Sequence, residues 1–355
     1  MVQSFVWGTR LDSHATRASR FPRPTSVPIV MPLVRRVSLV VALLVGSACA
    51  STPTDPPSSG GTSGGSGGGT TGGTTGGSAD LSQYFITPEL CKDTQGPDCT
   101  RLRLGNPHLT TTTPAVGKLY ACSAGNPNAP GSVTSRITWI DNAAGTWNLL
   151  RKPFLPAGGF SPGNGTATLS VSGDTRTIVV TNLPVDGKIG NWPMTQYAAL
   201  TAIDPNPGTP AARNYSFTIP LTPTTAAVPS CVSLGAIGVT LNGVVLYNAV
   251  DARGEDAVAN EIVDVFGGHP AMSDYHYHFL PERLDAAPLA DGHSGVVGYL
   301  RDGFALYGYK GTGNVELTNA DLDECHGHSH APMGYHYHAT MEYPYTIGCY
   351  KGTPR

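Results

Sequence analysis

The sequence predicts a mainly β fold: a β-sandwich or barrel-like domain with few short helices and an internally duplicated, pseudo-two-fold C-terminal half. Short segments rich in Val, Ile, Thr and Tyr recur between clusters of Gly, Pro and Asn, which is the pattern of strands and turns. No long helical period competes with them. The tetrapeptide Tyr-His-Tyr-His occurs twice, at residues 275–278 and 335–338, and indicates the duplication.

The predicted strands share β-branched and aromatic residues and end at turn-forming residues. They cover residues 136–141, 166–171, 175–181, 216–220, 236–241 and 244–247. Asn242-Gly243 and Asp302-Gly303 predict tight hairpins, because such dipeptides accept the positive φ angles of two-residue turns. Short helices are expected at residues 256–266 and 319–324.

The duplication extends beyond the tetrapeptides. Residues 237–247 match residues 297–307 at an offset of about sixty residues. The spacing Asp-x-x-x-Gly-His also occurs twice, from Asp264 to His269 and from Asp323 to His328. Two copies of one supersecondary unit usually pack around a pseudo-two-fold axis. We therefore expect residues 233–280 to superpose on residues 293–340 by a rotation near two-fold.

The N-terminal region predicts export and membrane anchoring. Residues 1–48 contain an export signal whose true start is expected at Met31, with an apolar core before a small-residue cleavage site. Cys49 follows directly and predicts a lipoprotein, anchored through its lipid on the extracytoplasmic side of the cell envelope. The Gly/Ser/Thr-rich residues 49–78 predict a flexible tether. The folded part then comprises a β-rich half, residues 79–230, and the duplicated half, residues 231–352.

The charge of the chain favours cations as partners. Residues 1–48 hold six Arg and one Asp, so removing them from 22 basic and 25 acidic residues leaves 16 and 24, a net charge near −8. Residues 255–349 alone hold fourteen acidic and three basic residues. Such a field repels nucleic acid and anionic lipid headgroups. The sequence names no further small-molecule or macromolecular partner.

Cysteine usage agrees with export, because six cysteines remain after Cys49, an even number suited to an oxidising compartment. A short loop favours pairing Cys91 with Cys99, and bracing of the second histidine strand favours pairing Cys325 with Cys349. These two choices leave Cys122 for Cys231. Thiolate metal ligation is disfavoured, since the chain has no Cys-x-x-Cys pair.

Nine of the eleven histidines lie between His269 and His338. Side chains alternate in a strand, so each tetrapeptide presents two imidazoles on one face and two tyrosines on the other. Neutral imidazole is the commonest ligand for transition metals such as copper and zinc. The predicted metal ligands are His269, His276, His278, His328, His336 and His338. Residues predicted to orient these imidazoles or to serve as alternative ligands are Asp264, Asp323, His326 and His330.

Two arrangements of these ligands remain open from the sequence. Each half builds its own three-ligand site, or both halves share one four-imidazole site on the pseudo-two-fold axis. A network of structural histidines bonded to carboxylates is the alternative without metal. The four tyrosines of the tetrapeptides are expected to pack in the core with bonded hydroxyl groups.

These motifs resemble the YHYH-domain family of exported bacterial proteins. The resemblance rests on the doubled histidine strand, the Gly-x-x-Leu-Asn-Gly-Val hairpin, the Asp-x-x-x-Gly-His turn and the ending Tyr-Pro-Tyr-Thr-Ile-Gly-Cys-Tyr-Lys-Gly at residues 343–352. It covers residues 175–352 and extends more loosely back to residue 115. The family has no established activity, so the resemblance implies a domain and an exported location rather than a mechanism.

Three function classes follow from the sequence. The first is a cell-envelope module that binds or handles a transition metal, copper or zinc. The second is a metal-dependent extracellular enzyme, a hydrolase or an oxidoreductase, which requires an open coordination position and an adjoining pocket. The third is a tethered structural or adhesion domain without metal. A serine hydrolase is disfavoured because Gly292-His293-Ser294-Gly295 departs from the nucleophile-elbow pattern.

Overall fold

The computed structural model describes residues 80–93 and 96–355, and this part of the chain is mainly β, as predicted. The predicted export signal, Cys49 and the tether lie outside the described residues. Among the described residues there is no helix with the length and apolar character needed to cross a membrane.

Eighteen strands form five sheets within the described residues. The strands are β1 (Leu102–Arg103), β2 (Leu109–Thr110), β3 (Leu119–Tyr120), β4 (Ile140–Asp141), β5 (Thr146–Trp147), β6 (Ala167–Ser172), β7 (Thr175–Val180), β8 (Tyr215–Pro220), β9 (Ala236–Thr240), β10 (Val245–Tyr247), β11 (Gly268–Ala271), β12 (Asp274–Tyr277), β13 (Val296–Leu300), β14 (Ala305–Tyr307), β15 (Lys310–Gly311), β16 (Val315–Glu316), β17 (Gly327–His330) and β18 (Gly334–His338).

The helices are short. The α-helices are α1 (Ala198–Thr201) and α2 (Ala257–Asn260). The 3-10 turns are Ser82–Tyr84, Leu90–Lys92, Asn106–His108, Thr134–Arg136, Leu149–Arg151, Met194–Gln196, Glu282–Leu284, Thr312–Asn314 and Asn319–Asp321.

An eight-stranded sheet with the order β11-β12-β10-β9-β13-β14-β18-β17 carries the duplication. Each half contributes four strands in the same order, counted outward from the central antiparallel pair β9–β13. In that pair Val239 faces Tyr299, and the flanking partners Gly238–Leu300 and Thr240–Gly298 exchange under the sixty-residue offset. The register therefore places a pseudo-two-fold axis at the Val239–Tyr299 pair. The strand orders of the two predicted repeats agree.

Both predicted hairpins form at the centre of this sheet. Gly243 and Gly303 have φ angles of +83° and +91°. Glycine adopts such positive φ angles at little energetic cost, because it has no Cβ atom. The hairpins connect β9 to β10 and β13 to β14 in antiparallel pairs.

The two predicted helices are shorter than expected. Asp256 caps α2 by accepting a hydrogen bond from the backbone N–H of Ala259, but the helix ends at Asn260. Beyond it the backbone of Ile262 donates to Asp204, and Val263 and Val265 exchange hydrogen bonds with Leu155. Extended pairing thus replaces the helix predicted through residue 266. The second predicted helix is the 3-10 turn Asn319–Asp321.

A separate three-stranded sheet, β6-β7-β8, packs on the centre of the eight-stranded sheet. The contact is apolar and buried. Its residues are Ile178, Val180, Phe217 and Ile219 from the small sheet and Val239 and Val245 from the large one. The larger core lies on the opposite face, where Leu246, Tyr277 and Tyr337 pack with residues of the N-terminal half.

All three predicted disulfides are present: Cys91–Cys99, Cys122–Cys231 and Cys325–Cys349. The second joins the N-terminal half to the segment leading into β9, across 109 residues. The third joins the segment before β17 to the C-terminal segment.

Candidate metal centres

The alternation of side chains along each strand places the histidines and the tyrosines of the two tetrapeptides on opposite faces of the sheet, as predicted. His276 pairs with Val245, whose side chain faces the small sheet, while Tyr277 pairs with Leu246 on the core face. The second half repeats this register, with Leu306 opposite Tyr337. The imidazoles of both halves consequently lie on one face of the eight-stranded sheet, and the tyrosines lie on the other.

The first group of imidazoles, site A, consists of His269, His276 and His278, all buried. His269 lies directly opposite His276 in the antiparallel pair β11–β12. The Nε2 atom of His278 lies 3.1 Å from the Nε2 atoms of both His276 and His269.

The second group, site B, consists of His293, His328, His336 and His338. His328 and His336 lie opposite each other in the pair β17–β18, as His269 and His276 do in site A. Nε2 of His336 lies 3.1 Å from that of His328 and 3.2 Å from that of His293. Nε2 of His293 lies 3.1 Å from that of His338. Four imidazole nitrogens therefore converge.

Backbone carbonyls fix which nitrogen each ring presents. Nδ1 of His276 and Nδ1 of His336 both lie 2.9 Å from a carbonyl oxygen two residues earlier. Nδ1 of His278 bonds to the carbonyl of Asn248, and Nδ1 of His338 bonds to that of Gly308 at 2.7 Å. Nδ1 of His293 similarly bonds to the carbonyl of Ser294 at 2.7 Å. A carbonyl only accepts, so these rings carry their proton on Nδ1 and turn the Nε2 lone pair toward the neighbouring rings.

Burial favours the neutral form of the three site A rings and of His336 and His338. It lowers the pKa of His278 to about 4, that of His336 to about 4 and that of His338 to about 2. The pKa values of His269 and His276 also lie well below the usual range, because burial and the neighbouring rings both oppose a positive charge. Neutral imidazole is the form that coordinates a metal ion.

The two sites are separate. Strands β12 and β18 are five strand positions apart in the sheet, which at about 4.8 Å per position corresponds to roughly 24 Å. The pseudo-two-fold axis between them is covered by the small sheet. The structure therefore forms one histidine group in each half, and the shared four-imidazole arrangement is excluded.

Asp264 and Asp323 lie with the tyrosines instead of the imidazoles. Asp264 accepts hydrogen bonds from the hydroxyl of Tyr275 at 2.8 Å and from Trp192 Nε1 at 3.1 Å. Asp323 accepts one from the hydroxyl of Tyr335 at 3.0 Å. These positions do not match the expected role as ligands or as acceptors of an imidazole N–H. The carboxylates hold the Asp-x-x-x-Gly-His turns and the core tyrosines together.

His326 and His330 also lie outside the two groups of converging nitrogens. His326 is buried with Nε2 at 3.0 Å from Thr340 Oγ1, and it occupies the positive-φ position that Gly267 has in the first repeat. His330 stacks on His293 with ring centroids 5.5 Å apart and lies beside Asp291 at the edge of site B.

Two residues near the sites were not predicted as ligands. His293 enters site B from the segment before β13, whereas Ser233 stands at the matching position of the first repeat. The sequence repeat therefore could not identify His293 as a ligand. Glu261 follows α2 and brings Oε2 to 3.5 Å from His269 Nε2. In the sequence it resembles one acid on the solvated face of a helix.

A cavity of about 310 Å³ adjoins site A. All three imidazoles line it, together with the carboxylates of Asp204, Asp251 and Glu261. Burial raises the pKa of Glu261 well above its usual range, and repulsion by Asp204 and Asp251 adds to the effect. Lys152, also fully buried, donates a hydrogen bond of 2.6 Å to the backbone carbonyl of Glu261.

Comparison with known proteins agrees with the motifs. A family model described as YHYH protein matches residues 216–320, a stretch that contains site A and His293 but ends before the second tetrapeptide. No curated protein and no solved structure matches the chain. The resemblance inferred from the sequence is thus confirmed by a match over residues 216–320, a shorter range than residues 175–352.

Proposed function

We propose that this chain is a cell-envelope lipoprotein that binds two transition-metal ions, one at each histidine site. The observation that supports it most is the approach of unprotonated Nε2 atoms to 3.1–3.2 Å, between His276 and His278 in site A and between His293 and both His336 and His338 in site B. Two such lone pairs repel each other and form no hydrogen bond. A cation between them removes that repulsion.

The spacing suits a first-row transition metal. A metal–nitrogen bond of about 2.0–2.1 Å gives a tetrahedron whose ligand atoms are about 3.3 Å apart. The closest nitrogen pairs, at 3.1–3.2 Å, lie near that value, and all ligand atoms of each site lie within 4.8 Å of one another. An all-imidazole set favours zinc or copper over magnesium or calcium, which prefer oxygen ligands.

The hydrogen bonds made by the Nδ1 atoms of the imidazoles support the same proposal. Metal-bound histidines commonly donate their other N–H to a carbonyl or carboxylate, which fixes the tautomer and the ring orientation. Carbonyl partners related by the sixty-residue offset, Asn248 and Gly308, perform this role in both halves. The repetition indicates that the orientation belongs to the fold of each repeat rather than to one accidental contact.

The envelope location rests on other grounds. Three disulfides suit an oxidising compartment, and residues 31–49 have the composition of a lipoprotein export signal. The excess of acidic residues within residues 255–349 would also attract cations.

Elemental analysis of the purified protein tests the metal proposal. After reconstitution with zinc or copper at neutral pH, the wild type should hold two ions per chain. The double variants His276→Ala/His278→Ala and His336→Ala/His338→Ala should hold one ion each. His108→Ala, which alters a histidine bonded to Arg103 and outside both sites, should still hold two. A folded wild-type protein that retained no ion would contradict the proposal.

A further inference from the structure

The two sites differ in how many protein ligands they offer. Site B has four imidazoles whose ligand atoms lie within 4.8 Å of one another, whereas site A has three. Structural metal sites usually have four protein ligands, and catalytic sites usually have three, with the remaining position taken by water or substrate. The duplication has therefore produced two sites of different coordination type.

The fourth coordination position of a metal ion bound at site A would face the cavity beside that site. His269, His276 and His278 line its wall, and its volume of about 310 Å³ accommodates a small molecule. Glu261 lines the same cavity with Oε2 at 3.5 Å from His269 Nε2 and 3.9 Å from His278 Nε2. Glu261 is not one of the three converging ligands, so its carboxylate lies beside the metal position and borders the space that an added ligand would occupy.

We propose that site A is a reactive metal site whose open position takes water or a small exogenous ligand, with Glu261 accepting the proton of that ligand, and that site B is coordinatively complete. The inference rests on the proposed metal binding and deepens it. It assigns different roles to the two halves of the duplication.

The three imidazoles would hold the metal ion, and such an ion lowers the pKa of the water it binds. In the hydrolysis of an ester or amide at this position, Glu261 would take one proton from that water as the water oxygen bonds to the acyl carbon. It would return the proton to the leaving group as the bond to that group breaks, so one water would be consumed and no oxidant would be needed.

The test uses full-length protein reconstituted with Co²⁺ and titrated with azide, an anion that enters an open coordination position and changes the visible spectrum of the metal. His336→Ala/His338→Ala leaves only site A, and His276→Ala/His278→Ala leaves only site B. We expect azide to shift the cobalt spectrum, saturably, in the site-A-only protein and to leave the site-B-only protein unchanged. Glutamine variants at the same positions replace any alanine variant that fails to fold.

Glu261→Gln in the site-A-only protein tests the role of the carboxylate. A metal ion at site A would favour the ionised form of Glu261, so the glutamine removes a negative charge beside the bound anion. At a separation of about 4 Å and the dielectric constant of water, this change should tighten azide binding about fivefold. The matched control is Glu255→Gln, because Glu255 pairs with Arg253 and does not line the cavity. Its azide affinity should equal that of the parent.

Cobalt content is measured before each titration. Absence of cobalt in both single-site proteins would contradict metal binding itself. If azide leaves the spectrum of bound cobalt unchanged in both proteins, or shifts it equally in both, the assignment of an open position to site A is overturned. An unchanged azide affinity in Glu261→Gln would overturn the role of that carboxylate.

Discussion

Asp264 and Asp323 occupy equivalent turns of the two repeats, yet the structure predicts very different costs for removing them. Asp264 is fully buried and accepts five hydrogen bonds, from the backbone of Gly190, Phe266 and Gly268 and from the side chains of Trp192 and Tyr275. Asp323 accepts bonds from Cys325, Gly327, Tyr335 and Lys351, but its side chain is 26% exposed. Water can replace it there.

The expected magnitudes follow from the donors left behind. Each buried donor without a partner costs about 1–3 kcal/mol, so Asp264→Ala should lower the free energy of unfolding by at least about 5 kcal/mol. That loss approaches the whole stability of many domains. Asp323→Ala should cost about 1–2 kcal/mol, since water reaches the turn and Lys351 keeps its contact with Glu324.

Urea unfolding followed by tryptophan fluorescence, with the disulfides intact, measures both losses by linear extrapolation. Asp264→Asn is an intermediate case, because the amide keeps one accepting oxygen and presents an NH₂ group to the remaining donors. Equal shifts of the urea midpoint in Asp264→Ala and Asp323→Ala, or a smaller loss of stability in Asp264→Ala, would contradict the assigned roles of the two carboxylates.

Three further outcomes are expected. Acidification should release the bound metal and destabilise the metal-free protein, because the folded state lowers the pKa of His278 to about 4 from about 6.5 and so binds this proton more weakly than the unfolded state. This group should lower the free energy of unfolding by at most about 3 kcal/mol as pH drops from about 6.5 to 4, and an equal pH dependence of the urea midpoint in the metal-free His278→Gln variant would contradict the assignment. Cys49→Ser should move the protein from the membrane fraction to the soluble fraction without changing its unfolding curve, whereas membrane retention would point to another anchor. Peptide mapping without reductant should find Cys325 joined to Cys349, and free thiols at both positions would contradict the disulfide and the oxidising compartment.

Much of the large sheet could be predicted from local sequence. Alternation within Tyr-His-Tyr-His determined which side chains share a face, and Asn242-Gly243 and Asp302-Gly303 located the hairpins. The sixty-residue offset predicted the two-fold relation, because equivalent segments form equivalent strands. These features depend on neighbours in the chain.

The sites could be predicted only in part, since their completion depends on strand order and on residues outside the repeat. Two geometries were open until the pairing of β9 with β13 placed the axis at Val239 and Tyr299, far from the histidine strands. His293 has no counterpart in the first repeat. Glu261 reaches site A because the backbone extends after Asn260 to pair with Leu155, a long-range contact that helix propensity does not reveal.

Crystals grown with zinc or copper, with anomalous diffraction recorded at the absorption edge of the metal, test the proposal that each half holds its own metal ion. Two anomalous peaks per chain are expected, roughly 24 Å apart, each about 2.0–2.2 Å from imidazole Nε2 atoms. One peak should lie among His269, His276 and His278, and the other should lie among the four histidines of site B. A single peak near the Val239–Tyr299 axis, or no peak within coordination distance of these nitrogens, would contradict it.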